Sequence, residues 1–205
     1  MQNCLSIDIE TWAYADTPEF RAMSSAERKA ADNGYLPDSV KRVLALLREF
    51  DQKITLFIVG EQYEWYPELP DMILAEGHEL GLHAFRHYLI EDRDALRRDL
   101  EKAVPFVRKY GIKGYRAPLI HLPDGGYEIL AEFGFTFDSS IYGPFSMAGK
   151  HKGVEIVPIS SYKLGNTKPE LRLPRHLSLS NMMGGGEFFY GASYFVGLLG
   201  GQVRH

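Results

Sequence analysis

Residues 54–83 read ITLFIVGEQYEWYPELPDMILAEGHELGLH, and this stretch contains the repeating unit of the fold. Residues 54–59 are a short apolar run with the length and composition of a buried strand. Residues 67–75 have a helical pattern that stops near Gly77, and residues 79–83 form a further strand-like run. A strand, a helix and a second strand in this order predict a parallel βα unit.

The same alternation extends along the chain in both directions. We predict further strands over residues 5–9, 114–117 and 135–137, with weaker candidates at 155–159 and 171–173. Helices are predicted over residues 38–50, 90–110, 124–133 and 188–199, the first of them capped by Asp38 and Ser39. Residues 144–170 have little pattern and are expected to form a long surface loop. Together these elements predict an α/β fold, in one domain that spans residues 1–205.

The composition is that of a globular protein and excludes several classes of function. The chain has 205 residues and a net charge of −4, which provides no electrostatic reason to expect nucleic acid as a partner. Cys4 is the sole cysteine, so no disulfide can form within the chain. There is no run of about 18 apolar residues, so we expect no stable membrane insertion and a cytoplasmic localisation. The sequence leaves the oligomeric state open.

Polar side chains follow several of the predicted strands, at the point where each strand ends. In parallel α/β folds, ligand sites lie at the carboxyl ends of the strands. The simplest arrangement is therefore one shared site for the five polar residues in these positions, which are Asp8, Glu10, His83, Arg116 and Asp138.

His83 and His87 are four residues apart, in the segment His-Ala-Phe-Arg-His. If the backbone is helical there, both imidazoles point the same way and can share a metal ion. A histidine pair alone is weak evidence, because histidines are often structural. The carboxylates that end another strand strengthen the case, since two imidazoles and one carboxylate are a common ligand set for catalytic zinc.

Asp8 and Glu10 lie on the same side of their strand, because side chains alternate along a strand. Adjacent carboxylates repel unless a cation lies between them or one of them is protonated. This suggests that one carboxylate binds the metal and the other deprotonates water. Arg116 could hold the basic carboxylate through a bidentate bond, and the rigid turn at Pro118 could present the Leu119 N–H to a developing oxyanion.

These residues, in this order, resemble the polysaccharide deacetylase (NodB-homology) superfamily, also called carbohydrate esterase family four. The similarity extends over roughly residues 3–143. Its motifs correspond here to Ser-Ile-Asp-Ile-Glu (6–10), Thr-Leu-Phe-Ile-Val-Gly (55–60), Gly-His-Glu-Leu-Gly-Leu-His (77–83) with His87, Arg-Ala-Pro (116–118), and the strand that ends in Asp-Ser-Ser (138–140).

The resemblance implies a distorted (β/α) barrel of about seven parallel strands and a divalent metal, usually zinc. It implies hydrolysis of an N-acetyl or similar acyl group on an amino sugar or glycan, in envelope or surface polysaccharide biosynthesis. Carried over by position, Asp8 is the general base and is held by Arg116. Glu10, His83 and His87 are the metal ligands.

Two departures from the family pattern leave alternatives open. Glu10 stands where the family usually has Asp, and the closing Leu-x-His motif that supplies the general acid is not recognisable. We therefore expect either a truncated chain, with a barrel that is incomplete at the C-terminus, or a barrel that closes differently, with His121, His176 and His205 as possible substitutes for the acid. The alternatives to a deacetylase are a hydrolase of another non-peptide C–N bond, such as a formamide or cyclic amide, and an inactive glycan-binding relative.

Overall fold

The computed structural model of the chain describes residues 5–14, 18–143, 145–162 and 177–178. Its strands are β1 (Ser6–Ile9), β2 (Thr55–Ile58), β3 (Glu79–Leu82), β4 (Gly114–Tyr115), β5 (Phe137–Asp138), β6 (Tyr142–Gly143), β7 (Gly149–His151), β8 (Val154–Ile156), β9 (Ile159–Tyr162) and β10 (Leu177–Ser178). Its α-helices are α1 (Pro18–Ala22), α2 (Ser25–Asp32), α3 (Tyr35–Glu49), α4 (Gly60–Trp65), α5 (Leu69–Ala75), α6 (Arg93–Tyr110) and α7 (Gly126–Glu132).

The main sheet has the strand order β1-β2-β3-β4-β5-β8-β7. Every neighbouring pair from β1 to β8 is parallel, and β7 is antiparallel to β8. In the part of the chain that the structure describes, a second, three-stranded sheet has the order β10-β9-β6. The predicted parallel βα architecture is confirmed, and its parallel register brings the carboxyl ends of β1, β3, β4 and β5 to one edge.

The hydrophobic core lies between this sheet and the helices that connect its strands. Three of the four residues of β2 and three of the four residues of β3 are buried, as expected for central strands covered on both faces. Helix α6 contributes Leu96, Leu100 and Phe106 from one face, at the spacing of an amphipathic helix. Packing in this core therefore fixes the positions of the strands whose carboxyl ends meet at one edge of the sheet.

Several predicted boundaries were wrong, and local backbone geometry explains why. The helix expected to start at Asp38-Ser39 starts instead at Tyr35, directly after Gly34, whose φ of 82° lets the chain turn out of α2. The Asp38 side chain pairs with Lys41 and does not cap the helix. Helix α6 begins at Arg93, where the Asp92 carboxylate caps the Ala95 N–H at 2.7 Å.

The long surface loop expected over residues 144–170 is also wrong, because its described part contains the strands β7, β8 and β9. These strands are short, and pairing across the sheets stabilises them more than their own sequence pattern does. The predicted strand at 171–173 and the predicted helix at 188–199 lie outside the described residues. Among the residues that are described, no helix is both long and apolar enough to cross a bilayer.

Candidate metal centre

Glu10, His83 and His87 come together at the carboxyl edge of the sheet. One ligand atom from each of the three side chains lies within 4.8 Å of the others. His87 Nε2 is 2.8 Å from Glu10 Oε2, and the centroids of the two imidazole rings are 4.9 Å apart. The structure thus brings together all three residues that the sequence suggested as ligands.

The chain between the two histidines forms a bend. The helical turn that would have aligned the two imidazoles is absent from residues 83–87. Ala84 has a φ of 55° and no exposed surface, so the chain reverses sharply after β3. The carboxylate of Asp99 on α6 accepts the N–H groups of Phe85 and Arg86, at 2.7 and 3.2 Å. This anchored bend, and not helical periodicity, places both rings on one side.

His83 is oriented by the backbone of the neighbouring strand. Its Nδ1 lies 2.9 Å from the carbonyl oxygen of Arg116, and because a carbonyl only accepts, Nδ1 carries the proton in this contact. Burial lowers the pKa of His83, against the opposing effect of Asp8 and Glu10. His83 is therefore neutral near pH 7, with Nε2 available as a ligand.

Asp8 and Arg116 form an ion pair beside this cluster. Arg116 Nη1 donates to Asp8 Oδ1 at 2.6 Å, and Asp8 Oδ2 is 4.0 Å from His83 Nε2. The bidentate bond suggested by the sequence is wrong, because Arg116 Nη2 donates to the hydroxyls of Ser6 and Ser139, both at 2.8 Å. Arg116 Nε donates to the Ser139 carbonyl at 3.1 Å, so the guanidinium is held on several sides.

The other face of Arg116 rests on an aromatic ring. Its guanidinium carbon lies 4.2 Å from the centroid of Phe57, a cation–π contact. The Phe57 ring occupies the space over Gly81, where an added Cβ would lie 2.3 Å from Phe57 Cδ1. Gly81 is therefore required for Phe57 to support Arg116 from below.

The neighbouring His87 favours the carboxylate form of Glu10. Burial raises the pKa of Glu10, but the hydrogen bond with His87 and the charge of His87 lower it by more, so the pKa of Glu10 lies below its ordinary value. Ile9 between the two acids is buried, as strand alternation requires. Both acids therefore face the cluster, as predicted.

Asp138 lies at the same edge but deeper than the sequence suggested. It is fully buried at the end of β5 and accepts from the Ser140 hydroxyl at 2.5 Å and the Ser140 N–H at 3.1 Å. The Ser140 hydroxyl also accepts the Ala117 N–H at 2.7 Å. Asp138 thus fixes the segment after Arg116 and acts away from the cluster.

Several residues that support the site were not predicted from the sequence. For some of them the sequence contains a pattern that could have identified them. Ser6 shares the strand parity of Asp8, so its contact with Arg116 could have been anticipated. Ser139 lies two residues after the predicted strand 135–137. Asp99 lies in the middle of a helix, and no local pattern marks it. His121 follows the 3-10 helix Pro118–Ile120, whereas His176 and His205 lie outside the described residues.

Comparison with known proteins identifies relatives of this chain. The family model described as polysaccharide deacetylase matches residues 30–134, a range that includes His83, His87 and Arg116. A peptidoglycan-N-acetylglucosamine deacetylase from Bacillus cereus is 34% identical over 97 residues, which cover 47% of this chain and 44% of the relative. The peptidoglycan-N-acetylmuramic acid deacetylase PdaC from Bacillus subtilis is 31% identical over 98 residues, 46% of this chain and 20% of the relative. The matches span less than half the length of these two relatives.

Solved structures agree on the architecture. A protein from Mycobacterium smegmatis assigned to the polysaccharide deacetylases superposes with a TM-score of 0.61 at 25% identity, covering 77% of this chain and 57% of that one. PuuE allantoinase superposes with a TM-score of 0.50 at 21% identity, covering 58% of this chain and 42% of that one, which is a likeness of fold alone. The resemblance and the fold class inferred from the sequence, a distorted (β/α) barrel, are confirmed.

Proposed function

Because this chain belongs to the polysaccharide deacetylase family, we propose that it is a metal-dependent hydrolase that removes an N-acetyl or similar acyl group from an amino sugar of a glycan. The observation that carries the proposal is the cluster of Glu10, His83 and His87 beside the Asp8–Arg116 ion pair. The names of the relatives, which are peptidoglycan deacetylases, favour an envelope glycan as the substrate.

The donor set fits a zinc ion. Two imidazoles and one carboxylate are a common set of protein ligands in catalytic zinc sites, and the set leaves a coordination position for water or substrate. The hydrogen bond from His83 Nδ1 to the Arg116 carbonyl is the outer contact that such a ligand usually makes. When bound, zinc would polarise the acyl oxygen and lower the pKa of water at the site.

Asp8 is suited to accept a proton from the attacking water. Its Oδ1 is engaged by Arg116, and its Oδ2 lies on the side of His83 Nε2. Arg116 holds the Asp8 carboxylate in one orientation, so the proposed base is in place without rearrangement. The leaving amine needs a proton in turn, and of the three histidines that the sequence suggested for this role, His121 is the one within the described residues.

Metal analysis combined with an acetate-release assay on an N-acetylated chitin or peptidoglycan oligosaccharide tests the proposal. We expect the purified chain to bind about one zinc and to release acetate. His83→Ala should lose the metal and the activity together. Asp8→Asn should keep the metal and lose turnover by about 10²–10⁴-fold, the usual contribution of a general base. Arg116→Ala should keep the metal and lower turnover.

Other outcomes would favour the alternatives. Release of formate from a formamide, without acetate, would indicate hydrolysis of a different C–N bond. Zinc-free protein that binds the oligosaccharide without turnover would indicate a glycan-binding relative. Full zinc content and turnover in His83→Ala would remove His83 from the site and contradict the proposal.

A further inference from the structure

A buried carboxylate that the proposed chemistry does not use lies behind the metal ligands. Glu61, at the start of α4, is only 1% exposed. It accepts hydrogen bonds from three side chains that belong to three different segments, which are Tyr14, Arg28 and Arg86. Such a network is costly to bury unless every member is satisfied, so its position beside the site calls for a physical explanation.

The first contact joins Glu61 to the segment that carries Glu10. The Tyr14 hydroxyl donates to Glu61 Oε2 at 2.5 Å, and Tyr14 lies four residues after Glu10, in the 3-10 helix Trp12–Tyr14. The Tyr14 ring stacks on Trp65 and meets the His87 ring edge-on, at 6.2 Å between centroids. The position of Tyr14 therefore limits where His87 can lie.

The second contact joins Glu61 to the bend that carries His87. Arg86 Nε donates to Glu61 Oε1 at 2.9 Å, and Arg86 directly precedes His87. The Glu61 N–H donates to the Phe85 carbonyl at 2.8 Å, so the backbone and the side chain of Glu61 both hold this bend. Loss of the Arg86–Glu61 hydrogen bond would remove one of the contacts that hold the bend before His87.

The third contact supplies the charge that keeps Glu61 ionised. Arg28 on α2 is buried, and its Nη2 lies 2.8 Å from Glu61 Oε2. Arg28 Nη1 also donates to the Tyr88 hydroxyl at 3.1 Å, just beyond His87 in the chain. Arg28 therefore neutralises Glu61 and ties α2 to the same bend.

We propose that Glu61 is a positioning residue for the metal centre, which sets the separation of Glu10 and His87 by bonding to Tyr14 and Arg86. The inference rests on the proposed function for the presence of a metal. The Glu61 carboxylate, at the start of α4, connects the segment that follows Glu10 with the bend that carries His87. Groups that hydrogen-bond a metal ligand directly typically change metal affinity by about 10–100-fold, and because Glu61 acts through Tyr14 and Arg86 we expect the lower end of that range.

The obvious variant, Glu61→Gln, leaves Arg28 buried without a counter-charge and endangers folding. Tyr14→Phe and Arg86→Gln each remove one contact and keep the Arg28–Glu61 pair. Arg86 is suitable because its side chain is 43% exposed. Matched controls are Tyr63→Phe, whose hydroxyl contacts an exposed Lys109, and Arg97→Gln, whose partner Glu132 lies on α7.

The dissociation constant for zinc, measured by competition with a chromogenic chelator, and the visible spectrum of the cobalt(II)-loaded chain provide the readouts. We expect Tyr14→Phe and Arg86→Gln each to weaken zinc binding by about 10-fold and to alter the cobalt spectrum, with thermal unfolding of the metal-free chain close to that of the wild type. The double variant should lose less than the product of the two single losses, because both contacts act through Glu61.

The possible failures can be told apart. Wild-type protein that binds no zinc would overturn both the proposed function and this inference. Wild-type protein that binds zinc, with Tyr14→Phe and Arg86→Gln equal to their controls in affinity and spectrum, would overturn the positioning role alone. Losses that simply multiply in the double variant would show that Glu61 does not couple the two segments.

Discussion

Asp8, Arg116 and Asp138 show how individual charges are stabilised around the candidate site. Arg116 shares its N–H groups between Asp8 and two serines, so one guanidinium orients the Asp8 carboxylate and links the ends of β1, β4 and β5. Asp138, in contrast, is fully buried, and its main contact is Ser140. Burial raises the pKa of Asp138 to about 6, and the hydrogen bonds from Ser140 and Tyr127 offset this only in part.

The raised pKa of Asp138 predicts a pH-dependent stability. Because the folded-state pKa lies above the ordinary value, the stability that Asp138 contributes is fully present below about pH 4 and is lost as pH rises through about 6. The free energy of unfolding of Asp138→Asn, relative to that of the wild type, should therefore be roughly 1–2 kcal/mol higher at pH 8 than at pH 5, as measured by urea unfolding of the metal-free protein. Asp94→Asn, at an exposed position on α6, is the control. A constant difference between Asp138→Asn and the wild type at both pH values would contradict the prediction.

At the scale of elements, the decisive contact is between α6 and the bend after β3. Helix α6 packs its apolar face on the core and turns Asp99 toward Phe85 and Arg86. The Asp99 carboxylate satisfies two backbone N–H groups that the left-handed Ala84 leaves without a strand partner. Burial raises the pKa of Asp99 to about 6, against the effect of those two hydrogen bonds. Burying the ionised carboxylate therefore costs free energy that the two hydrogen bonds offset only in part.

Asp99→Ala tests this contact. Two N–H groups would lose their acceptor, and we expect the free energy of unfolding to fall by about 2–4 kcal/mol, measured by urea titration at pH 7. Zinc binding should weaken as well, because the bend that carries His87 is no longer anchored. Glu101→Ala, on an exposed part of the same helix, should leave both quantities nearly unchanged. Normal zinc affinity in Asp99→Ala would show that the backbone contacts with α4 suffice to hold the bend.

For the whole molecule, the candidate metal centre links distant parts of the chain. Glu10 follows β1, whereas His83 and His87 follow β3, and β2 lies between them in the sheet. A ligand that binds the folded state alone stabilises it according to its concentration and affinity. A metal at this edge would therefore stabilise the folded state by linking the end of β1 to the end of β3.

Thermal unfolding with and without zinc measures this stabilisation. At free zinc about 100 times the dissociation constant, the folded state should gain about 2.7 kcal/mol, which corresponds to a rise in Tm of roughly 5–10 °C for a chain of this size. Chelation should reverse the rise. His87→Ala should abolish it, and His151→Ala, on the exposed strand β7, should retain it. Equal Tm values with and without zinc would contradict a metal site at this edge.

Features set by local sequence could be predicted, whereas features set by distant residues could not. The parallel architecture and the convergence of Glu10, His83 and His87 could be predicted, because strand ends and ligand chemistry leave clear local patterns. The helical turn at 83–87 and the bidentate Arg116 bond were wrong, because both depend on neighbours far away in sequence, namely Asp99 and Ser139. Glu61 was missed for the same reason, since a buried carboxylate on a short helix has no local signature.

By itself, the amino-acid sequence determined which residues could form strands and helices and which side chains were candidates for a shared site, because periodicity and residue type are local properties. Only the tertiary structure decided how Arg116 divides its bonds, how Ala84 turns the chain, and that Glu61 lies behind both ligand loops. These features come from packing of segments that are tens of residues apart, and the free energy of that packing depends on all partners at once.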